Sequence, residues 1–184
     1  MDLILNTLQR FGRFLSEPET LRIFVSNRFL MIFLVIFLLK IKYKTYSNIY
    51  LSALVNIPGT LLHETAHFIT GLVLNAQPTK FTIVPQKRID GYVMGSVAFR
   101  NIQFYNALPS ALAPLSLLVI GYFFNKWFFE NVTLNYFNYI AYIFLQTVII
   151  ENALPSAQDF KVAFSKPLGI LLYGFIFFLL VLYF

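Results

Sequence analysis

The sequence contains no cysteine, which excludes disulfide bonds and thiolate metal sites. Charged residues are also scarce: they make up 12% of the 184 residues, whereas 58% are hydrophobic. A soluble domain cannot bury that much apolar surface, so the composition predicts an integral membrane protein. Any metal ligands must come from the two histidines and the eight acidic residues.

The apolar segments predict an all-α integral membrane protein that forms a single domain over residues 1–184. Residues 1–20 contain an amphipathic helix that we expect to lie at the membrane interface. About five transmembrane helices follow, at residues 22–41, 49–74, 107–127, 134–151 and 168–184. The length of the last run leaves open whether it crosses the bilayer completely.

The stretch between the second and third spans has a different character. Phe81–Val84 and Tyr92–Phe99 are rich in β-prone side chains, and a polar turn ending in Asp90-Gly91 separates them. This pattern predicts a β-hairpin over residues 79–100. The hairpin is either a simple connector or an exposed edge that pairs with an extended peptide, and both interpretations stay open.

The basic residues predict the orientation of the chain. Ten of them precede the first span, lie in the hairpin or follow the fourth span, whereas the other four lie on the opposite side, namely Lys40, Lys42, Lys44 and Lys126. Because basic residues are enriched on the cytosolic side, we expect the N-terminus and the hairpin to be cytosolic. The net charge of +6 is thereby explained by the lipid bilayer as partner, without nucleic acid.

The only two histidines lie in the pentad His63-Glu64-Thr65-Ala66-His67, within a predicted span. Since a helix repeats every 3.6 residues, His63 and His67 share one face, roughly 6 Å apart along the axis. Two imidazoles so placed can bind one zinc ion, and the carboxylate of Glu64 can act as a general base. The alternative is a pair of core histidines bonded to neighbouring carbonyl groups. The cost of ionisable groups in an apolar helix favours the metal site.

A catalytic zinc usually has three protein ligands, so one ligand must come from elsewhere. The acids that follow the fourth span, Glu151 and Asp159, are on the predicted side of the pentad. Asp159 also stands three residues after Ser156, which is the spacing of a helix-capping box, so it can be a cap, a ligand or both. Glu151 is the reserve ligand.

The two segments together resemble the site-2 protease family of intramembrane zinc metalloproteases. That family pairs a transmembrane HExxH helix with a later Asn-x-x-Pro segment, whose aspartate is the third ligand. Asn152, Pro155 and Asp159 match the second motif. Phe160 departs from the glycine that usually follows the aspartate, and Ala113-Pro114 replaces a frequent Gly-Pro pair.

The resemblance implies that His63, His67 and Asp159 bind one Zn²⁺ per chain and that Glu64 is the catalytic base. It implies a catalytic core at residues 49–165 and, as substrate, a transmembrane segment of another membrane protein. We assign to Asn152 a contact with the substrate or the oxyanion. The oligomeric state stays open.

The hexapeptide Asn-Ala-Leu-Pro-Ser-Ala occurs twice, at residues 106–111 and 152–157. Irregular backbone at membrane depth is tolerated where it is buried in protein or lines a wet cavity, so the two copies are expected to frame an entrance to the metal. Chance repetition or two similar helix starts is the alternative.

Two other functions stay open. A membrane-embedded zincin of the prenyl-protein protease type would cut soluble or lipidated tails, and it would need Glu151 as its acidic ligand. A non-catalytic membrane scaffold would keep the fold without the chemistry.

Overall fold

The computed structural model describes residues 2–88 and 91–183. Within these ranges the chain is mostly helical, as the sequence predicts, and the region of the predicted hairpin contains four short strands. The helices are α1 (Asp2–Ser16), α2 (Pro18–Ser26), α3 (Arg28–Lys44), α4 (Ile49–Val73), α5 (Ala107–Ala111), α6 (Ser116–Asn131), α7 (Tyr136–Glu151), α8 (Ala157–Ala163) and α9 (Pro167–Tyr183), with 3₁₀ turns at Thr45–Ser47 and Ala113–Leu115. The strands are β1 (Pro78–Thr82), β2 (Gln86–Arg88), β3 (Gly91–Val93) and β4 (Ser96–Phe99).

The helix that carries the pentad has nearly the predicted bounds. Asn48 begins α4 by accepting hydrogen bonds from the backbone amides of Tyr50 and Leu51. The helix continues through Pro58 for 25 residues. The predicted helices at 134–151 and 168–184 correspond to α7 and α9, and the N-terminal helix corresponds to α1.

Two helices predicted to be continuous are broken. Asn27 interrupts the predicted helix at 22–41, because its backbone is extended and its side chain caps α3 by accepting from the Leu30 amide. The axes on either side of Asn27 are bent by 69°. The predicted helix at 107–127 is divided into α5, a 3₁₀ turn and α6, with Pro114 in the turn. Proline has no N–H to continue the preceding helix.

Length and hydropathy do not by themselves identify a membrane span. Within the described ranges, no single helix is both long and apolar enough to cross a bilayer. Two bent pairs meet the test of length and composition, α2 with residues 28–47 and α8 with α9. The five transmembrane helices therefore stay a prediction.

The β-hairpin is confirmed. β1 pairs antiparallel with β4. Between them in the sequence, β2 pairs antiparallel with β3. The base of the hairpin is tied to the end of α4, because the Asn101 amide donates to the Ala76 carbonyl over 3.0 Å and the Phe99 ring lies against Gly71. The predicted turn residue Asp90 lies outside the described residues.

An apolar core joins α2, α3, α6 and α7. Its centre consists of four buried residues, Phe128, Tyr139, Tyr142 and Ile143. The Tyr139 hydroxyl donates to the Val25 carbonyl over 3.1 Å, and the Tyr142 hydroxyl donates to Asn125 over 2.6 Å. The hydroxyl groups of this core are therefore hydrogen-bonded, as buried polar groups require.

The contacts of α7 correct one part of the predicted orientation. Val25, just before α3, contacts Tyr139 near the start of α7, and Lys42 near the end of α3 contacts Glu151 at the end of α7. The two helices therefore run in the same direction. The assignment of Lys42 and the end of the fourth span to opposite sides is wrong, because the Lys42 Nζ lies 2.8 Å from the Glu151 Oε1. The cytosolic location of the N-terminus and the hairpin stays a prediction.

Candidate metal centre

His63, His67 and Asp159 converge on one point although their segments are far apart in the sequence. The two imidazole Nε2 atoms lie 3.2 Å apart. The Asp159 carboxylate approaches both, with Oδ2 at 3.4 Å from His63 Nε2 and Oδ1 at 3.3 Å from His67 Nε2. Among residues 2–88 and 91–183 this is the one group of three such side chains that could hold a metal ion.

These separations are compatible with one metal ion held between the three side chains. With zinc–ligand bonds of about 2.0–2.1 Å, neighbouring ligand atoms of a tetrahedron lie about 3.3 Å apart. The two Nε2 atoms lie 3.2 Å apart, and they approach different oxygens of the Asp159 carboxylate, at 3.4 and 3.3 Å. With one ligand atom taken from each residue, the three atoms lie within 4.8 Å of one another, which is compatible with one ion bound by three protein ligands.

Each imidazole is oriented by a backbone carbonyl. His63 Nδ1 lies 2.8 Å from the Asn152 carbonyl oxygen, and His67 Nδ1 lies 2.7 Å from that of Ser110. Since a carbonyl only accepts, each Nδ1 must donate, and in a neutral ring the lone pair is then on Nε2. Two such lone pairs facing a carboxylate require protons or a cation between them. The Nδ1 contacts fit the alternative of core histidines, but the convergence of the Nε2 atoms is typical of a metal site.

Asp159 is a helix cap and a member of this group at the same time. The Ser156 amide donates to Asp159 Oδ2 over 2.6 Å, and the Asp159 amide donates to the Ser156 hydroxyl over 3.2 Å, so the predicted capping box is present at the start of α8. Burial by itself raises the pKa of the Asp159 carboxyl. With protons on the two Nε2 atoms in place of a cation, hydrogen bonds from His63, His67 and Ser156 outweigh burial and hold that pKa well below its usual range. The carboxylate is therefore ionised at neutral pH, as a ligand must be.

The duplicated hexapeptide supplies both orienting carbonyls. Ser110 belongs to the first copy and Asn152 to the second, and the short helices α5 and α8 that contain or follow these copies pack against each other. Both copies thus lie beside the candidate metal centre, although they contribute different positions of the repeat. The repeat is visible in the sequence, but the sequence does not indicate which of its backbone carbonyl groups contact the histidines.

Glu151 is not part of the convergent group. Its carboxylate lies 2.8 Å from the Lys42 ammonium, at the edge of the same cavity. The structure thus brings Asp159, rather than the reserve ligand Glu151, to the two imidazoles.

The backbone carbonyl of Asn152 contacts His63, whereas the Asn152 side chain points away from the candidate metal centre. The side-chain amide donates to the Val148 carbonyl over 2.8 Å and packs against Gly59 of α4, where a Cβ has no room. A role of Asn152 toward the substrate or the oxyanion stays a prediction.

Glu64 lies one position along α4 from the first imidazole and is buried, with 7% of its surface exposed. The hairpin covers it: a Cβ built on Gly95 would lie 2.8 Å from Glu64 Oε1 and would also overlap Thr60. Gly95 was not identified as a site residue from the sequence. A glycine within a β-prone run is the signal, since it often marks a close backbone approach.

A cavity of about 620 Å³ opens onto these groups. It is lined on one side by His63, Glu64 and His67 and on another by residues 95–99 of the hairpin. The strand β4 pairs with β1 in a two-stranded sheet, and the residues of β4 line this cavity. The volume is in the range of small-ligand sites.

No family model, curated protein or solved structure matches the chain.

Proposed function

We propose that this chain is a zinc endopeptidase embedded in a membrane, with His63, His67 and Asp159 as the zinc ligands. The observation that supports it most is the convergence of the two Nε2 atoms and a carboxylate at 3.2–3.4 Å. When bound there, zinc would act as a Lewis acid toward water and toward the scissile carbonyl.

In this proposal Glu64 is the general base. It lies in the same helical turn as the ligands and lines the same cavity, while the hairpin shields it from bulk water. Its carboxylate accepts a proton from the attacking water and then returns that proton to the leaving amine, so the base is regenerated after each cleavage.

The proposed substrate is a transmembrane segment of another protein. Many apolar side chains of the chain are exposed, and Leu171, Phe175 and Phe177 of α9 expose between 60% and 69% of their surface. Apolar surface of this extent is typical of contact with lipid or with another apolar segment. Because a helix shields its own carbonyl groups, the scissile stretch must unwind, and the border of β4 along the cavity is suited to an extended strand.

Synthetic peptides test this function directly. Each peptide has an apolar segment of about 20 residues, the length that spans a bilayer, and one of a matched pair carries a central Asn-Pro-Gly helix breaker. We expect the zinc-loaded protein in detergent to cleave the interrupted peptide faster, as measured by mass spectrometry. Removal of metal with 1,10-phenanthroline should abolish cleavage, and added zinc should restore it.

Two results would contradict the proposal. Cleavage that continues after complete removal of metal would exclude a zinc mechanism. Failure of the zinc-loaded protein to cleave any peptide would favour the scaffold. The tail-cutting zincin has less support, because its required ligand Glu151 is paired with Lys42.

The contact between Gly95 and Glu64 gives a further prediction. In Gly95→Ala the new methyl group would overlap Thr60 Cγ2 and lie 2.8 Å from Glu64 Oε1, so both side chains must shift and the carboxylate is displaced. We expect kcat to fall by about 10- to 100-fold, since small displacements of a catalytic group have effects of this size. The zinc affinity should stay at the parent value because no ligand moves.

Gly174→Ala is the matched control, because a Cβ at Gly174 meets nothing within 4 Å. Both variants are compared with the parent for kcat and for zinc affinity. Equal kcat values for Gly95→Ala and the parent would mean that the hairpin does not position Glu64.

A further inference from the structure

We propose that Lys42 is a positioning residue of the candidate metal centre, acting through Glu151 and the Asn152 carbonyl on the ring of His63. This inference rests on the proposed zinc site. It assigns a role to α3, which lies outside both the predicted catalytic core at 49–165 and the motifs that resemble a protease family.

The ion pair of Lys42 and Glu151 differs from the other pairs of a basic side chain (Lys or Arg) with a carboxylate in the described parts of the chain. Its side chains are 15% and 25% exposed, at an Nζ–Oε1 distance of 2.8 Å. The other two pairs, Arg22–Glu19 and Lys126–Glu130, are between 59% and 79% exposed. Exposed pairs are screened by water and salt and fix little, whereas a mostly buried pair is screened much less.

Glu151 is one residue away from the carbonyl that orients His63. It is the last residue of α7, and the carbonyl of the next residue, Asn152, accepts from His63 Nδ1 over 2.8 Å. The Asn152 side chain donates back to Val148, which ties this residue to the last turn of α7. A displacement of the end of α7 is therefore transmitted to the imidazole.

The end of α7 is held from two sides. On the α4 side, Gly59 leaves room for the Asn152 amide, so the two helices approach closely. On the α3 side, Lys42 holds the Glu151 carboxylate. Without the ammonium, a partly buried carboxylate loses its partner beside the cavity that contains the metal ligands, and the turn that carries Asn152 loses its restraint on the α3 side.

Zinc affinity is the measurement that tests this role, by competition with a chromophoric chelator. For Lys42→Met we expect the zinc Kd to rise about tenfold, the lower end of the range for outer partners of a metal ligand. The matched control Lys126→Met removes a lysine from an exposed pair and should leave the Kd unchanged. The charge-reversed double variant Lys42→Glu/Glu151→Lys restores a pair and should return the Kd to within about threefold of the parent.

The outcomes separate this inference from the proposed function. A parent that binds zinc, with a Lys42→Met variant of equal affinity, overturns the positioning role and leaves the zinc site in place. A weakened Lys42→Met with no recovery in the double variant also overturns it, since Lys42 would then act by another route. Recovery in the double variant supports the role even if Lys42→Met folds poorly. A parent that binds no zinc overturns the proposed function and this inference together.

Discussion

The Glu64→Gln variant is expected to bind zinc as the parent does and to lose about 10²- to 10⁴-fold in kcat, the usual contribution of a general base. Glutamine has nearly the same size and fits the same buried space, but its amide cannot accept the proton of the attacking water. Because Glu64 is 7% exposed and covered by the hairpin, bulk solvent is a poor replacement for it. The measurement is kcat on the interrupted peptide, with zinc content determined on the same sample.

Glu130→Gln is the matched control for this change. Glu130 lies on α6 in an exposed pair with Lys126, so its neutralisation should leave both kcat and zinc content unchanged. Near-parental activity of Glu64→Gln would remove Glu64 from its role as base. Loss of zinc in that variant would instead mean that Glu64 supports the ligands.

Replacement of Asp159 should weaken zinc binding by more than about 100-fold, since one of three ligands and its negative charge are lost. Asp159 also caps α8, so Asp159→Ala combines two effects, and loss of the cap alone costs about 1 kcal/mol of stability. Asp159→Asn separates them, because an asparagine oxygen can still accept from the Ser156 amide but carries no charge for zinc. The zinc Kd and the thermal unfolding midpoint are measured for both variants.

Glu151→Ala is the comparison for the third ligand. It removes the reserve ligand and breaks the pair with Lys42, so we expect a rise in Kd of about tenfold, well below that of Asp159→Asn. A larger loss of zinc in Glu151→Ala than in Asp159→Asn would contradict the assignment of Asp159. It would favour the zincin that cuts soluble or lipidated tails.

Helical spacing was sufficient to predict how His63 and His67 meet. The Nε2 atoms of positions i and i+4 face the same point because α4 is regular there. Asp159 could be predicted as a candidate ligand because few acidic residues follow the fourth predicted span. The hairpin was accessible because β-prone runs flank a polar turn.

The carbonyls of Ser110 and Asn152 were not accessible in the same way. These carbonyl groups can accept from the histidines because the backbone ends a helix close to α4 at both places. Every residue type has such a carbonyl group, so the sequence does not indicate which one is used. The break at Asn27 was also missed, because apolar residues continue on both sides and only the local cap interrupts the helix. Gly95 was missed because its role depends on how the hairpin folds back along α4.

The orientation based on basic residues failed at Lys42 for a related reason. Counting charges treats each predicted span as one straight crossing, whereas the helix is bent by 69° at Asn27 and α3 runs in the same direction as α7. The charge of Lys42 is paired with Glu151, at the same end of α3 and α7, and the orientation of the chain in a membrane stays a prediction.

The zinc content of the purified parent protein tests the central claim most directly. The protein is loaded with zinc in detergent, separated from free metal by gel filtration and measured by elemental analysis. One zinc ion per chain is expected, because a single group of three ligands is present among the residues that the structure describes. A folded parent that retains no zinc after loading would contradict the metal centre, and the pentad would then be a pair of core histidines.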